Sequence, residues 1–271
     1  MRVDTLAELF HASPEPAIER VALAIAADLN PRLDPRPTLE ALDAMGAALG
    51  RLVARSERAA VHAEMIRGYL YDEVGFKGEG ADYRDPRCSD LSEVVARKTG
   101  LPITLAVVLM AVGQRAGLRV EGVSFPGHFL ARLGGPEGLY LDPFDDARVL
   151  DRADLEALGR RVLGPGGSLR PEHLNPVGAR AIAARMLANL KNLFERRGDH
   201  ARALVACDRL VDLTASPEVI RDRGVHALAL GALGVARDDL ARYLRERPDA
   251  PDASTIGAAL RRASKAGSAV Q

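Results

Sequence analysis

The sequence predicts an α+β fold in which a helical N-terminal region packs on a small antiparallel sheet and is followed by an α-helical segment. Three observations support this prediction. Apolar residues recur at helical spacing through residues 16–74. Two strand-like runs flank a turn rich in glycine and proline at residues 134–138. The last third of the chain is helical and repetitive. Segregation of helices from an antiparallel hairpin is typical of the α+β class.

The N-terminal region predicts three amphipathic helices, at residues 16–29, 38–55 and 57–74. The first carries a clear apolar stripe at helical spacing, formed by Ile18, Val21, Ala22, Ile25 and Leu29. Prolines separate it from the second helix, and Gly75 ends the third. A loop rich in turn residues is expected from Phe76 to Ser89.

The middle of the chain predicts one buried helix followed by strands. A short helix is expected from Leu91 to Lys98, and a second opens at Pro102 and runs to about Ala116. Few polar residues interrupt this second helix, which indicates burial on most sides. Strands are expected at residues 118–123 and 128–133, and a return strand at 139–142. A further helix is expected at residues 151–163.

The glycine-rich run that starts at Gly164 predicts a domain boundary. We expect a first domain at residues 1–163, a linker at 164–178 and helical repeats at 179–271. Gly198 and Gly234 are 36 residues apart, close to the period of helical-hairpin repeats of tetratricopeptide type. The second copy fits less well, because Arg223 and Asp239 stand where apolar or small residues are usual.

Composition argues against several classes of function. Lys and Arg total 37 and Asp and Glu total 37, so the net charge of zero gives no reason to expect a nucleic-acid partner or an anionic membrane. Two cysteines suit a reducing compartment, and the charged N-terminus does not resemble a signal peptide, so a cytoplasmic location is expected. The histidines have no metal-ligand spacing, and neither a metal nor a cofactor is expected.

A candidate site lies between residues 100 and 144. A helix N-terminus at Pro102 offers unpaired N–H groups and a partial positive charge, an environment that stabilises a cysteine thiolate. His128 and Asp142 flank the predicted hairpin and should lie nearly opposite each other on neighbouring strands. A histidine oriented by a carboxylate can take a proton from a nucleophile. The same pair can also be purely structural.

Several motifs in this region resemble the transglutaminase-like proteins that carry C-terminal tetratricopeptide repeats, the SirB type of bacteria. The resemblance covers nearly the whole chain. The motifs are Leu-Tyr-Asp-Glu-Val-Gly-Phe at 70–76, Asp-Pro at 85–86, Gly-Leu-Pro-Ile-Thr-Leu at 100–105, Gly-Val at 122–123, Pro-Gly-His-Phe at 126–129 and Asp-Pro-Phe at 142–144. The resemblance implies a core of the cysteine-protease type.

The resemblance also assigns roles to individual residues. Active members open the helix with Gly-x-Cys, and alignment on Gly100 places Pro102 at the position of the cysteine. His128 and Asp142 match the histidine and aspartate of the family. The resemblance therefore implies a Cys-His-Asp site that lacks its nucleophile, and proline is itself favoured in the first turn of a helix.

Three other side chains are candidates for an atypical nucleophile: Cys88 on the preceding loop, Thr104 in the first helical turn, and Ser124 just before His128. Each would need the imidazole within hydrogen-bond reach, and a capping or structural role suits the hydroxyls. We group these three with Phe129 and Phe144 as candidate binding residues.

Two main hypotheses follow, beside a third in which the protein is a scaffold whose only working part is the helical repeat. In the first, the protein is an intracellular binding or regulatory protein that has lost catalysis, and a protein or peptide partner binds its helical repeats. In the second, it is a hydrolase or acyl transferase that uses His128 and Asp142 with an atypical nucleophile or an activated water.

Overall fold

The computed structural model describes residues 2–78, 85–164 and 168–268, and it describes side chains as far as residue 265. The chain divides into two compact units, Met1–Met186 and Leu187–Gln271. Part of the predicted linker, residues 165–167, lies outside the described residues, as does much of the predicted loop, residues 79–84. No helix in the described part of the chain combines the length and the apolar character that a membrane span requires.

The first unit begins with four helices, as listed here: α1 (Leu6–Ala12), α2 (Ile18–Leu29), α3 (Arg36–Val53) and α4 (Ala59–Ile66). Helix α1 was not predicted, although Thr5 and Glu8 form a reciprocal capping box at its start. The predicted third helix changes character partway, because α4 continues into a π-helix at Arg67–Glu73. Its wider turn is seen in the hydrogen bond from the Val74 N–H to the Tyr69 carbonyl, at 2.9 Å.

Helix α6 (Pro102–Arg115) is the central element of the first unit. It follows α5 (Leu91–Arg97), and every residue from Pro102 to Leu109 is buried. It contacts α2 and α3 as well as strands of the sheet, so it is covered on most sides, as predicted. Just before it, β1 (Lys77–Gly78) and β2 (Thr99–Gly100) form a short parallel pair.

An antiparallel sheet of four strands lies beside α6, with the order β3-β4-β5-β6. The strands are β3 (Val120–Val123), β4 (Leu130–Leu133), β5 (Leu139–Asp142) and β6 (Arg148–Leu150). The prediction that a strand begins at His128 is wrong. The chain makes a turn at Pro126–Gly127, closed by the His128 N–H on the Phe125 carbonyl at 3.1 Å, and β4 starts two residues later.

Helix α7 (Arg152–Leu163) packs on the sheet. The shared core consists of Val123, Phe125, Leu130, Leu150, Leu155 and Leu158. The segment that follows also contacts the sheet, since Pro176 forms an antiparallel bridge with Val123 and the Val177 N–H donates to the Gly122 carbonyl at 2.9 Å.

The second unit is helical, as predicted. Its elements are the second half of α8 (Ala179–Arg196), then α9 (His200–Thr214), α10 (Pro217–Ala229), α11 (Leu233–Glu246) and α12 (Ala253–Ser268). The two residues that fit the repeat pattern poorly pair with each other. Arg223 donates from Nε and Nη2 to the carboxylate of Asp239 at 2.7 and 2.9 Å, so a bidentate ion pair takes the place of apolar packing.

Candidate functional site

The start of α6 is built from the residues that the sequence singled out. Gly100 ends β2, Leu101 is the N-cap in an extended conformation, and Pro102 is the first helical residue. Proline suits this position because its missing N–H would have no partner inside the helix. Pro102 is buried, so the helix begins inside the first unit.

Two of the candidate nucleophiles lie together at this helix start. The Thr104 hydroxyl donates to the Cys88 carbonyl oxygen at 2.8 Å, and the Leu101 N–H donates to the same oxygen at 3.2 Å. Thr104 is fully buried and Cys88 is 1% exposed. The sequence suggested that Cys88 lies on a polar loop; instead it is buried in a 3₁₀ turn, Pro86–Ser89, whose backbone is bonded to α6.

His128 and Asp142 are in direct contact. The imidazole Nε2 is 2.8 Å from Asp142 Oδ1, and the side chains are only 12% and 11% exposed. The same carboxylate oxygen accepts the Phe144 N–H at 2.9 Å, so Asp142 is held by the backbone that follows it. An ionised carboxylate only accepts hydrogen bonds, so this contact places a proton on Nε2 and leaves Nδ1 for another partner.

The two phenylalanines near this pair differ in environment. The ring of Phe144 meets the imidazole edge to face, with 6.2 Å between centroids and 87° between planes. Phe129 is 2% exposed and belongs to the core. It lies against Gly122, where an added Cβ would be 3.1 Å from the Phe129 ring. Phe144 is therefore the aromatic residue that contacts the imidazole.

Gly78 connects the helix start to the histidine pair. It stands opposite Gly100 in the parallel pair of β1 and β2, and Gly100 lies two residues before the helix. A Cβ at Gly78 would lie 2.6 Å from the Phe144 carbonyl oxygen and 2.7 Å from its ring. Only glycine allows this approach, so β1 bridges the region of Pro102 and the residue that packs on His128.

Sequence reasoning missed Tyr71 as a residue of this site. Its hydroxyl donates to the Pro143 carbonyl oxygen at 2.8 Å, next to Asp142, and the residue is buried. Burial raises the pKa of Tyr71 above its usual value, and the charge of Asp142 adds to this, so the hydroxyl stays protonated as a donor. The motif at 70–76 contained Tyr71, but nothing in the pattern revealed the π-helix that turns it inward.

A second missed residue is Val162, near the end of α7. A Cβ on Gly127 would be 2.4 Å from a Val162 methyl, so this half-exposed valine covers the turn that precedes His128. Within the described residues, neither Thr104 nor Ser124 hydrogen-bonds to His128; Ser124 is half-buried after β3. No metal-binding cluster of three or more His, Cys, Asp or Glu occurs in the ranges that the structure describes.

The fold and the histidine pair thus define a transglutaminase-like domain followed by helical repeats. The chain belongs to the transglutaminase-like superfamily, whose model matches residues 36–188. A tetratricopeptide repeat model matches residues 190–261. These matches confirm the resemblance inferred from the motifs.

Similar proteins occur in bacteria. A Xylella fastidiosa (strain 9a5c) protein, called a UPF0162 protein, is 40% identical over 188 residues, which cover 68% of this chain and 67% of the relative. A UPF0162 protein of Vibrio cholerae is 31% identical over 250 residues, covering 89% and 90% of the two chains. Mouse F-box only protein 21 is 30% identical over 144 residues, half of this chain and 22% of that protein. No solved structure matches the chain.

Proposed function

We propose that this protein is a non-catalytic, protein-binding regulatory member of the transglutaminase-like superfamily. The observation that carries the proposal is the pairing of His128 with Asp142 at 2.8 Å, and the proposal takes from the family resemblance that Pro102 occupies the position of the nucleophile. Proline has no group that can attack a carbonyl. The pair would then order the region around Asp142 or hold a polar group of a ligand.

The surroundings of the other candidate nucleophiles support this proposal. Thr104 is fully buried and its hydroxyl donates to a backbone carbonyl, and Cys88 is 1% exposed. A nucleophile must meet both its base and the substrate, and burial of this degree excludes substrate from both groups.

The helical repeats supply the second part of the proposal. Stacked helical hairpins present an extended surface that suits a protein or peptide partner. With only two cysteines in the chain, we place this activity in the reducing cytoplasm.

An enzyme is the second candidate, and one observation favours it. Asp142 engages Nε2 of His128, so Nδ1 is left to accept a proton, as in a nucleophile–histidine–carboxylate triad. Such an enzyme would be a hydrolase or an acyl transferase that uses Cys88, Thr104, Ser124 or water.

Measurements of cysteine reactivity and of acyl transfer decide between the non-catalytic binding protein and the enzyme. We would treat the purified full chain and His128→Ala with iodoacetamide, locate the adducts by mass spectrometry, and assay hydrolysis of p-nitrophenyl acetate and amine transfer to casein. The proposal expects slow labelling of Cys88 until the chain is unfolded and equal, background turnover in both proteins. Rapid labelling of Cys88 that depends on His128, or turnover that His128→Ala abolishes, would establish the enzyme instead.

Binding through the repeats needs its own test. Partners captured by the full chain would be purified and rebound as isolated proteins by calorimetry. Substitutions on exposed residues of α10 and α11, such as Val225→Asp and Val235→Asp, are expected to weaken this binding, while His128→Ala leaves it unchanged. Loss of binding with His128→Ala alone would move the partner site to the first unit.

A further inference from the structure

Strand β3 is at the edge of the sheet, and its backbone polarity can be assigned residue by residue. The Gly134 N–H donates to the Arg119 carbonyl at 2.9 Å, and Val120 stands opposite Leu133 in the register. In an antiparallel ladder the residues that bond to the neighbouring strand alternate. Arg119 and Glu121 therefore direct their backbone groups toward β4, and Val120 and Gly122 direct theirs away from the sheet.

One part of this edge is already occupied by the protein's own chain. The Val177 N–H donates to the Gly122 carbonyl at 2.9 Å, beside the bridge between Val123 and Pro176. At Gly178 the chain turns away and enters α8. Within the described residues, the outward N–H and C=O of Val120 and the N–H of Gly122 make no hydrogen bond.

These unpaired groups face a cavity of about 640 Å³. Its apolar walls come from three helices and are formed by Ala17, Ile18, Met110 and Ile182, all of the first unit. The volume is within the usual range of ligand pockets, about 300–1,000 Å³. It admits a few residues and not a folded second copy of the chain.

The charged groups around the cavity already have partners. Glu121 bonds to Arg119 and to Arg132, each at 2.9 Å, and Glu15 Oε2 accepts the Ala179 N–H at 2.9 Å. The groups that remain without a hydrogen bond belong to the backbone. They are a donor and an acceptor on Val120 and a further donor on Gly122, two residues later. Another extended backbone matches that spacing, because alternate residues of a strand face the same edge.

We propose that an extended segment of a partner polypeptide adds to β3 in this cavity, next to Val177, and directs an apolar side chain toward Met110 and Ile182. The segment bonds to the N–H and C=O of Val120 and to the N–H of Gly122. This surface is separate from the histidine pair and from the helical repeats, so it goes beyond the function proposed above.

Amide resonances of the full chain provide the test. The ¹⁵N-labelled protein would be titrated with the peptide acetyl-Ser-Val-Ser-Val-Ser-amide to about 1 mM, the weak end of specific affinities. We expect shifts and slowed hydrogen exchange at the amides of Val120 and Gly122. The same peptide with every amide nitrogen methylated keeps its apolar groups but loses the donors for the Val120 carbonyl, and its methyl groups hold its own carbonyls away from the strand edge. It should leave both resonances unchanged.

A matched pair of variants isolates the backbone contribution. Val120→Pro removes the outward N–H together with the valine side chain that lies against Gly113, at an edge position where proline is tolerated, and should weaken peptide binding about tenfold or more. Val120→Ala removes the same side chain but keeps the N–H, and it should stay within about threefold of the unmodified chain. His128→Ala should bind as the unmodified protein does.

The proposal is overturned if the two amides do not respond, if the methylated peptide binds equally well, or if both Val120 variants bind alike. Should Val120→Pro fail to fold, comparison of the two peptides on the unmodified chain still decides. Neither outcome depends on whether His128 has a catalytic role.

Discussion

At the scale of single residues, the geometry of the histidine pair depends on a tyrosine that lies far away in sequence. Tyr71 donates to the carbonyl of Pro143, the residue that follows Asp142. Asp142 in turn accepts the Phe144 N–H. The 142–144 segment is thus fixed from both sides, and His128 meets a carboxylate that cannot easily turn away.

Tyr71→Phe should remove this support without leaving a cavity. The Pro143 carbonyl would lose its buried donor, and we expect a loss of about 1–3 kcal/mol in the free energy of unfolding, measured in urea. Tyr140→Phe is the matched control, because the Tyr140 hydroxyl donates to the Leu174 carbonyl at 3.2 Å in a less buried setting. Equal losses in the two variants would contradict a special role for Tyr71.

Gly78→Ala tests the close approach of β1 to Phe144. Its Cβ would overlap the Phe144 carbonyl and ring, so we expect a loss of about 1–3 kcal/mol from overpacking, together with shifted resonances of the His128 ring. Gly68→Ala is the control, since no heavy atom lies within 4 Å of its added Cβ. A neutral result for Gly78→Ala, with an unchanged imidazole, would show that Phe144 moves freely.

At the scale of elements, α2 and α6 are joined by an ion pair that is largely buried. Arg115 Nη1 lies 2.9 Å from Glu19 Oε1, and the side chains are 22% and 6% exposed. Arg115 also reaches Asp43 of α3 at 2.6 Å. Glu19 Oε2 is buried and has no hydrogen-bond partner within the described residues. Arg115 therefore connects three helices. Burial of the Glu19 carboxylate with one oxygen unbonded has an electrostatic cost.

Arg115→Met should therefore destabilise the first unit strongly. It leaves the Glu19 carboxylate buried without a counterion, and we expect a loss of about 3 kcal/mol, the lower end for buried pairs because Arg115 keeps some contact with water. The double variant Glu19→Leu/Arg115→Met should recover most of this loss in urea unfolding. If the double variant is as unstable as the sum of the single variants, the pair does not act as a unit.

The elements also show what could be predicted from the sequence. Strand β5 was predictable, because the turn at residues 134–138 fixes the register of its hairpin. That register brings Asp142 level with the start of β4, and the turn at Pro126–Gly127 then places His128 against it. The π-helix was not, since a shift of hydrogen bonds from i−4 to i−5 leaves the local apolar pattern nearly unchanged. Strand β6 has only three residues, too few for a periodic signal.

The candidate site follows the same division. His128, Asp142 and Phe144 lie close together because they are near one another in the sequence, on the two sides of one hairpin. The position of Tyr71 depends on the hydrogen bond from its hydroxyl to the distant Pro143 carbonyl. That of Cys88 depends on the two hydrogen bonds that its own carbonyl accepts, from the Thr104 hydroxyl and the Leu101 N–H. No composition or periodicity encodes those bonds. The burial of Cys88 could therefore not be predicted from the sequence and is seen only in the structure.

At the scale of the whole molecule, the chain contains 37 basic and 37 acidic residues, and many of these side chains contact one another. In the second unit, charged and titratable groups line the helix contacts. Lys191 is close to Asp222, and buried His226 lies between Glu195 at 3.2 Å and His200 at 3.0 Å. The His200 contact joins two Nδ1 atoms, so it holds one proton and not two.

This arrangement predicts acid sensitivity. Burial lowers the pKa of His226, Glu195 opposes this and His200 adds to it, so the folded state binds fewer protons than the unfolded state near pH 6. Stability is then present above the unfolded value of about 6.5 and is lost as the pH falls, by at most about 1.4 kcal/mol per pH unit for one proton.

Unfolding in urea at several pH values between about 5.5 and 8, followed by circular dichroism, would measure this slope. His226→Asn should flatten it, because a group that cannot titrate contributes nothing to the pH dependence. Parallel curves for the two proteins would show that His226 is not the group responsible.

The π-helix has a consequence for the length of the polypeptide between Ile66 and Val74. Each turn closed by a hydrogen bond to residue i−5 holds one residue more than an α turn. Deleting one residue there lets the segment return to ordinary α-helical pitch and leaves the direction of the later side chains nearly unchanged. In a regular α-helix the same deletion would rotate every later side chain by about 100°, so the π-helix makes this segment the part of the helix that best tolerates the loss of one residue.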